Sequence, residues 1–305
     1  MIPNISMNIP RSILIFGSGG LLGSYLLENY ENNSNILHCF RDSYGSLVLA
    51  QKSTNLVEFP YSLESFKKVV EVVKPNLVIN AITIKNLESE ENPKLALHVN
   101  RDIPGAISQA CSDVGAKCIH ISTDAVFGQS GSNFKVSDTP KPSSVYGISK
   151  LLGEKKVLES DPNHLVVRTN FFGYHFKKLS LFNYFYKNLS KSVPSLGYTN
   201  VYFNPLYILD LVKGLDAIAA DKTCGVTHFS GIQKLSKYEF GLQIQKSLKI
   251  EMNLILKREI ESKDIQKKDL TLANSIDEST YTYQYTINTG IEDAIRRAKI
   301  GAYEK

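Results

Sequence analysis

An apolar run ends in a glycine-rich turn near the start of the chain: SILIF at 12–16 is followed at once by GSGGLLGS at 17–24. Gly17, Gly20 and Gly23 fall three apart with Gly19 between them, and Leu21 to Tyr30 then reads as a helix. Few folds accommodate a strand, a turn almost without side chains and a helix in immediate succession. Glycine lets the backbone approach a ligand closely, and the helix start supplies N–H donors and partial positive charge. The turn therefore suits a pyrophosphate, bordered by Gly17, Ser18, Gly19, Gly20, Leu21, Leu22 and Gly23. A tight strand–helix turn with no ligand is the plain alternative.

The alternation continues. ILHCF (36–40), LVIN (77–80), AKCIHIS (116–122) and HLVVRT (164–169) read as strands. Helices are expected at 62–74, with Ser62 as N-cap and Pro75 just past the end, at 93–113 and at 144–160. Such a rhythm predicts an α/β fold with a Rossmann-type, doubly wound parallel sheet covered on both faces. After about residue 170 it breaks. Aromatics crowd 171–207, helices are expected at 179–190, 208–220, 236–248 and 290–299, and a polar stretch covers 257–286. Residues 1–170 are expected to form the dinucleotide-binding domain, with about 198–230 returning to it. Residues 171–305 are expected to be mostly a smaller C-terminal α/β substrate lobe.

A net charge of +5 over 305 residues suits an anionic small molecule, although a few surface lysines produce the same balance. With no arginine-rich arm and no basic block, nucleic acid is not an expected partner. The four cysteines form no C-x-x-C pair and the histidines have no zinc-like spacing, so no metal is expected. Cys39 and Cys118 lie in apolar runs and read as buried free thiols of a reducing compartment. MIPNISMNIPRS at the start has no apolar run, neither signal peptide nor membrane anchor, so a cytoplasmic protein is expected.

Candidate chemistry centres on VYGISK (145–150). Tyr146 and Lys150, four apart on a helix, share a face, and an ammonium beside a phenol lowers its pKa from the usual ~10. With 16 tyrosines such a pair also arises by chance; Tyr174 and Lys178 form a second. Surroundings separate the two. Thr123, in HISTDAVFG, sits just past the apolar run of its strand, where an open parallel sheet binds ligands. Tyr146 begins the next helix and returns to that edge. The second strand ends in HCFRDS: Arg41 can pair with a 2′-phosphate and favours NADPH, whereas Asp42 turned inward would favour NADH.

GSGGLLG, LVINAI, LALHVN, ISTDAVFG and YGISKLLGE, in this order, resemble an extended short-chain dehydrogenase/reductase. STDAVFG, YGISKLLGE and VVRTNFFG are most similar to its dTDP-4-dehydrorhamnose reductase branch, over about 12–173 and more weakly to about 245. The resemblance implies an NADPH-dependent reductase of a nucleotide-linked 4-keto-deoxysugar, with NADH possible and a homodimer implied. Tyr146 would donate the proton, Lys150 would lower its pKa and bind the nicotinamide ribose, and Thr123 would hydrogen-bond the keto oxygen. Asn80, Ala81 and Ile82 would border the cofactor, while Asn100 would brace the sheet and the Lys150 region. Lys85, Asp124, Asn170 and Phe171 would lie on the substrate side.

The chain departs from that pattern in places. The segment after Asn80 is short, Phe171 stands where a tryptophan is expected, and the late basic patch has Lys267 and Lys268 with no Arg-Pro. Lys268 would meet a diphosphate as a point charge, without a fork. A related epimerase with tightly held NAD, and a non-catalytic NADP-binding subunit like the regulatory subunit of eukaryotic methionine adenosyltransferase, are the alternatives. His120 reads as a satisfied sheet histidine; His164 and His175 have no ligand-like spacing.

Overall fold

Six parallel strands form the centre of the molecule in a computed structural model that describes residues 12–30, 35–41, 47–51, 57–128, 131–175, 180–261 and 269–303. The N-terminal half runs β1 (Ile13–Phe16), α1 (Leu21–Asn29), β2 (Ile36–Arg41), β3 (Leu47–Gln51), β4 (Val57–Phe59), α2 (Leu63–Val73) and β5 (Leu77–Asn80). It continues through α3 (Asn86–Glu91), α4 (Pro93–Leu97), α5 (Ile103–Val114), β6 (Lys117–Thr123), α6 (Val145–Ser160) and β7 (Leu165–Thr169). Then come β8 (Phe171–Phe172), α7 (Leu181–Leu189), β9 (Ser195–Tyr198), β10 (Tyr202–Phe203), β11 (Leu206–Tyr207) and α8 (Ile208–Ala220). The chain closes with β12 (Gly225–His228), β13 (Leu235–Ser236), α9 (Lys237–Ser247), β14 (Ile255–Arg258) and α10 (Ile287–Tyr303).

The main sheet has the order β12-β7-β6-β5-β1-β2-β3-β4, parallel from β12 to β2. Its winding reverses between β1 and β5, the switch point where doubly wound sheets bind ligands. Strand alternation sends Ile13 and Ile15 into the core under α1 and α8, and Leu14 and Phe16 into the core under α2 and α5. Cys39, Cys111 and Cys118 are buried free thiols, as expected for the first and last of these.

Two features depart from the expected plan. β3 and β4 add an antiparallel hairpin at the β2 edge. Residues 42–46 are too few for a helical crossover, so the chain can only double back. The helix expected at 93–113 is continuous but widens to a π turn at His98–Asp102. Pro104, just beyond, has no N–H to close an ordinary helical bond, and the wider turn absorbs the defect.

Beyond residue 170, β12 joins the main sheet beside β7, and the pairs β8–β11, β9–β14 and β10–β13 form small separate sheets. The stretch read as polar threads back through the interior. Leu272 and Tyr281 are buried, and buried Asp210 accepts from Tyr281 Oη, Gln284 N and Tyr285 N. Among the described residues, no helix is long and apolar enough to cross a membrane and no cluster of His, Cys, Asp and Glu could hold a metal ion.

Three of the buried histidines, His120, His164 and His228, give the fold a pH dependence. Burial is the leading cause that holds each below the ordinary value, His228 down to about 4. Below ~6.5 the unfolded chain binds more protons than the native one, so stability falls as pH drops from there toward 4. His228 alone is expected to contribute about 3 kcal/mol of that loss. Thermal unfolding followed across this range should show a falling Tm, shallower in His228→Gln; a flat Tm would contradict the neutral buried imidazoles.

Candidate active site

The ends of the central strands meet at one edge. Phe16 pairs with Asn80, Asn80 with His120, and Thr123 with Thr169. Beside β1, Gly17 and Ser18 both donate from their backbone N–H to Cys39 O, pinning the turn to β2. Gly17 has φ +87°, and a Cβ there would lie 2.9 Å from the backbone of Ala81, so no side chain fits. Gly19 is exposed, with open space where a Cβ would sit. Gly20 caps α1 without a side chain, and no acid lies in the first turn. By contrast α2, α6 and α9 each have a serine cap. The start of α1 thus keeps its N–H groups for an anion.

Around this turn the expected residues divide. Ser18 is buried and donates to Cys39 O at 2.9 Å, and Leu22 is in the core; both shape the turn from behind. Arg41 is exposed at the end of β2, with its guanidinium 5.7 Å from the centre of the Tyr61 ring. Ala81 lies against Gly17, and Ile82 packs on the core. Asn80 is fully buried and turned into the sheet. Asp42, Lys178, Lys267 and Lys268 lie outside the described residues.

Tyr146 and Lys150 open α6, whose N-cap Ser144 accepts from Gly147 N. The helix lies unusually close to the π turn: a Cβ on Gly153 would come 2.1 Å from Asn100 O, so only glycine allows that approach. Asn100 serves both sides. Its Oδ1 accepts from Thr83 Oγ1 and Ile84 N, and its Nδ2 donates to Ile84 O and Ser149 Oγ. The bracing role expected of Asn100 is what these contacts describe.

The Tyr146 phenol lies beside the hydroxyls of Thr123 and Thr83; burial raises its pKa more than those neighbours lower it, and the Asp124 carboxylate adds to the rise. Lys150 points elsewhere. Its Nζ donates to Ile121 O at 2.7 Å and lies 3.0 Å from His120 Nε2. Burial brings this amine down to about 7, against the opposing pull of Glu154. Glu154 is spent on Arg168, which donates from Nη2 at 2.7 Å, and on Ser122 Oγ.

On the other side of Thr123, Asp124 accepts from Thr123 Oγ1 and from Asn170 Nδ2. Phe171 begins β8 and is half-buried, and Lys85 is exposed at the start of α3. Lys237, the first residue of α9, is half-buried; burial lowers its pKa, and the Asp124 charge acts in the opposite sense. The second tyrosine of the sequence pattern, Tyr174, packs edge-on against Tyr186.

Hydroxyls, a phenol and an amine thus stand at the carboxyl edge of a doubly wound sheet, next to a glycine turn that suits an anion. The RmlD substrate binding domain family matches residues 11–274. The chain belongs to this family. It is 31% identical over 162 residues to a probable low-salt glycan biosynthesis reductase, Agl14, of Haloferax volcanii, covering 52% of each chain. It is 24% identical over 258 residues to methionine adenosyltransferase 2 subunit beta of Bos taurus, covering 78% of this chain and 72% of that one. Against several curated relatives the match therefore spans about half of their length. The dTDP-4-dehydrorhamnose reductase from Bacillus anthracis, solved in complex with NADP, superposes with a TM-score of 0.78. At 22% identity it covers 94% of this chain and 98% of that one, and it shares the fold.

Sequence reading did not place Lys150 against Ile121 O and His120, where its Nζ lies. Sequence reading also missed Thr83 and Lys237. The rule that sites gather past the carboxyl ends of strands could have found Thr83, three residues beyond β5. Nothing local distinguishes Lys237 from other lysines, because its place depends on how α9 docks.

Proposed function

We propose that this protein is an NADPH-dependent reductase of a nucleotide-linked 4-keto-deoxysugar. The observation that carries the reading is the placement of Thr123 at the end of β6 and of Tyr146 and Lys150 at the start of α6, at the sheet edge that also holds the Gly17–Gly20 turn. A phenol, with an ordinary pKa of ~10, carries a proton at neutral pH, which suits a donor to a carbonyl becoming an alcohol. Bound in the groove, NADPH would supply the hydride. The Gly17–Gly20 turn and α1 would hold its pyrophosphate, Arg41 its 2′-phosphate, and Lys150 the ribose side. Thr123 and Tyr146 would present their hydroxyls to the keto oxygen, where negative charge develops. Asp124, Asn170, Phe171 and Lys85 would face the sugar nucleotide, with Lys237 as a further cation on that side. Residues after 170 would form most of the substrate lobe. The dTDP-4-dehydrorhamnose reductase and glycan biosynthesis reductase relatives support this reading.

A second reading has one specific observation in its favour: the bovine regulatory subunit aligns over 78% of the chain. The two part in an assay of NADPH oxidation with a panel of nucleotide-4-keto-6-deoxysugars. Turnover with one of them, faster with NADPH than with NADH, is the expected result. Measurable NADPH binding with no turnover on any sugar would instead favour a non-catalytic, cofactor-binding subunit.

A further inference from the structure

The start of α6 is held from two directions. Its own N-cap, Ser144, accepts from Gly147 N at 3.1 Å. A second acceptor comes from 55 residues away: Glu90 Oε1 takes the N–H of Val145, the first residue of the helix, at 2.9 Å. Glu90 lies in the last turn of α3, where a carboxylate meets the negative end of a helix dipole and no basic residue offsets it. The same carboxylate meets the positive end of α6. Its place is unfavourable for its own helix and favourable for the helix of Tyr146. The segment before Glu90 is fastened at its other end. Asn100 accepts from Thr83 Oγ1 and Ile84 N, and donates to Ile84 O and to Ser149 Oγ of α6. Ser149 Oγ in turn donates to Tyr146 O at 2.9 Å. Residues 83–90 are thus joined to α6 on both sides of Tyr146, through Asn100 at Ser149 and through Glu90 at Val145.

We propose that Glu90 is a positioning residue that locks the 83–91 segment and the first turn of α6 into one unit, so that Thr83 and Tyr146 keep a fixed register at the sheet edge. The anchors supplied by Asn100 end at Ile84, and buried Ser89 ties α3 only back to Ile84 O. Without Glu90, α3 could swing about Ile84 as a hinge. A carboxylate accepting from a backbone N–H makes a charge-assisted bond, stronger than the neutral bond of Ser144 beside it. Glu90 is exposed, so water competes for that bond, and its worth lies in orientation more than in overall stability. The joining of the two segments stands on this geometry. Its effect on turnover rests on the reductase reading, in which the segment carries Lys85 toward the sugar nucleotide and the helix carries the proton donor.

Amide hydrogen exchange of the full chain, with no cofactor or sugar, reads the lock directly. In Glu90→Ala, exchange should rise about tenfold or more both in 83–91 and in 145–147, while α2 keeps its parental rate. Glu90→Gln keeps a side-chain oxygen for Val145 N and should return both segments to within about threefold of the parent. In turnover, Glu90→Ala should lose about tenfold in kcat with the KM for NADPH within about twofold, and Glu90→Gln should recover most of the loss. Exchange that rises at 145–147 alone would make Glu90 an ordinary helix cap and overturn the proposal. Exchange unmoved in both segments, or an active enzyme whose kcat does not change in Glu90→Ala, overturns it equally. Should the parent turn over no sugar, the reductase reading falls and the exchange result alone decides the lock.

Discussion

Replacing Tyr146 by phenylalanine is expected to lower kcat by about a hundred- to ten-thousand-fold while leaving NADPH affinity nearly unchanged. The variant removes one oxygen. It keeps the ring and leaves the glycine turn unaltered. What disappears is the proton that would meet the developing alkoxide. The loss should fall on kcat more than on KM, because proton transfer matters at the transition state and little in binding. Stopped-flow NADPH oxidation and a separate cofactor titration measure the two parts. A variant that turns over within tenfold of the parent would remove Tyr146 from the chemistry. Tight coupling of the loss to weakened NADPH binding would instead make it a wall of the groove.

The second large effect concerns the clamp that holds α6 to the sheet. Glu154 and Arg168 are almost wholly buried, with side chains 3% and 5% exposed. The guanidinium also lies over the Phe127 ring and near His228 Nε2. Glu154→Leu leaves Arg168 charged and without its carboxylate in the interior, which is expected to cost about 3–5 kcal/mol. The double variant Glu154→Leu/Arg168→Met removes both charges and should regain most of that stability, since apolar replacement of a buried pair is often neutral. Urea unfolding of the parent and both variants provides the comparison. A single variant that loses under ~1 kcal/mol would mean that Arg168 finds water or another acceptor. The clamp sits one helical turn from Lys150, so loosening it should also degrade turnover before the protein unfolds.

Much of the frame was legible in the order of residues. Alternation at β1, β5, β6 and β7 follows from apolar runs of strand length, and the glycine turn announces itself by the lack of side chains between a strand and a helix. The cap of α2 was equally local, since Ser62 bonds within three residues of itself. The β3–β4 hairpin was missed although turn residues, DSYGS and KSTN, flank LVLAQ, and its direction is decided by the shortness of 42–46. The π turn was missed because a periodic helical pattern does not show one extra residue. The tethers on Asp210 were missed for another reason: Tyr281 and Tyr285 look like members of a polar run until α8 is placed beside them.

The site divides the same way. By itself the sequence determined which residue types would stand at the sheet edge: glycines at the first turn, Thr123 at the end of β6, Tyr146 and Lys150 on one face of α6. Backbone dihedrals and hydrophobic period act over a few residues, so they can be read without the fold. Only the tertiary structure decided what those groups would meet. His120 reaches Lys150 across thirty residues, and Asn80 reaches His120 across forty. Thr83 meets Tyr146, and Arg168 takes the carboxylate of Glu154. Burial and hydrogen-bond partners set the charge on a lysine and the proton on a phenol, and both are properties of packed neighbours that no local stretch of sequence contains.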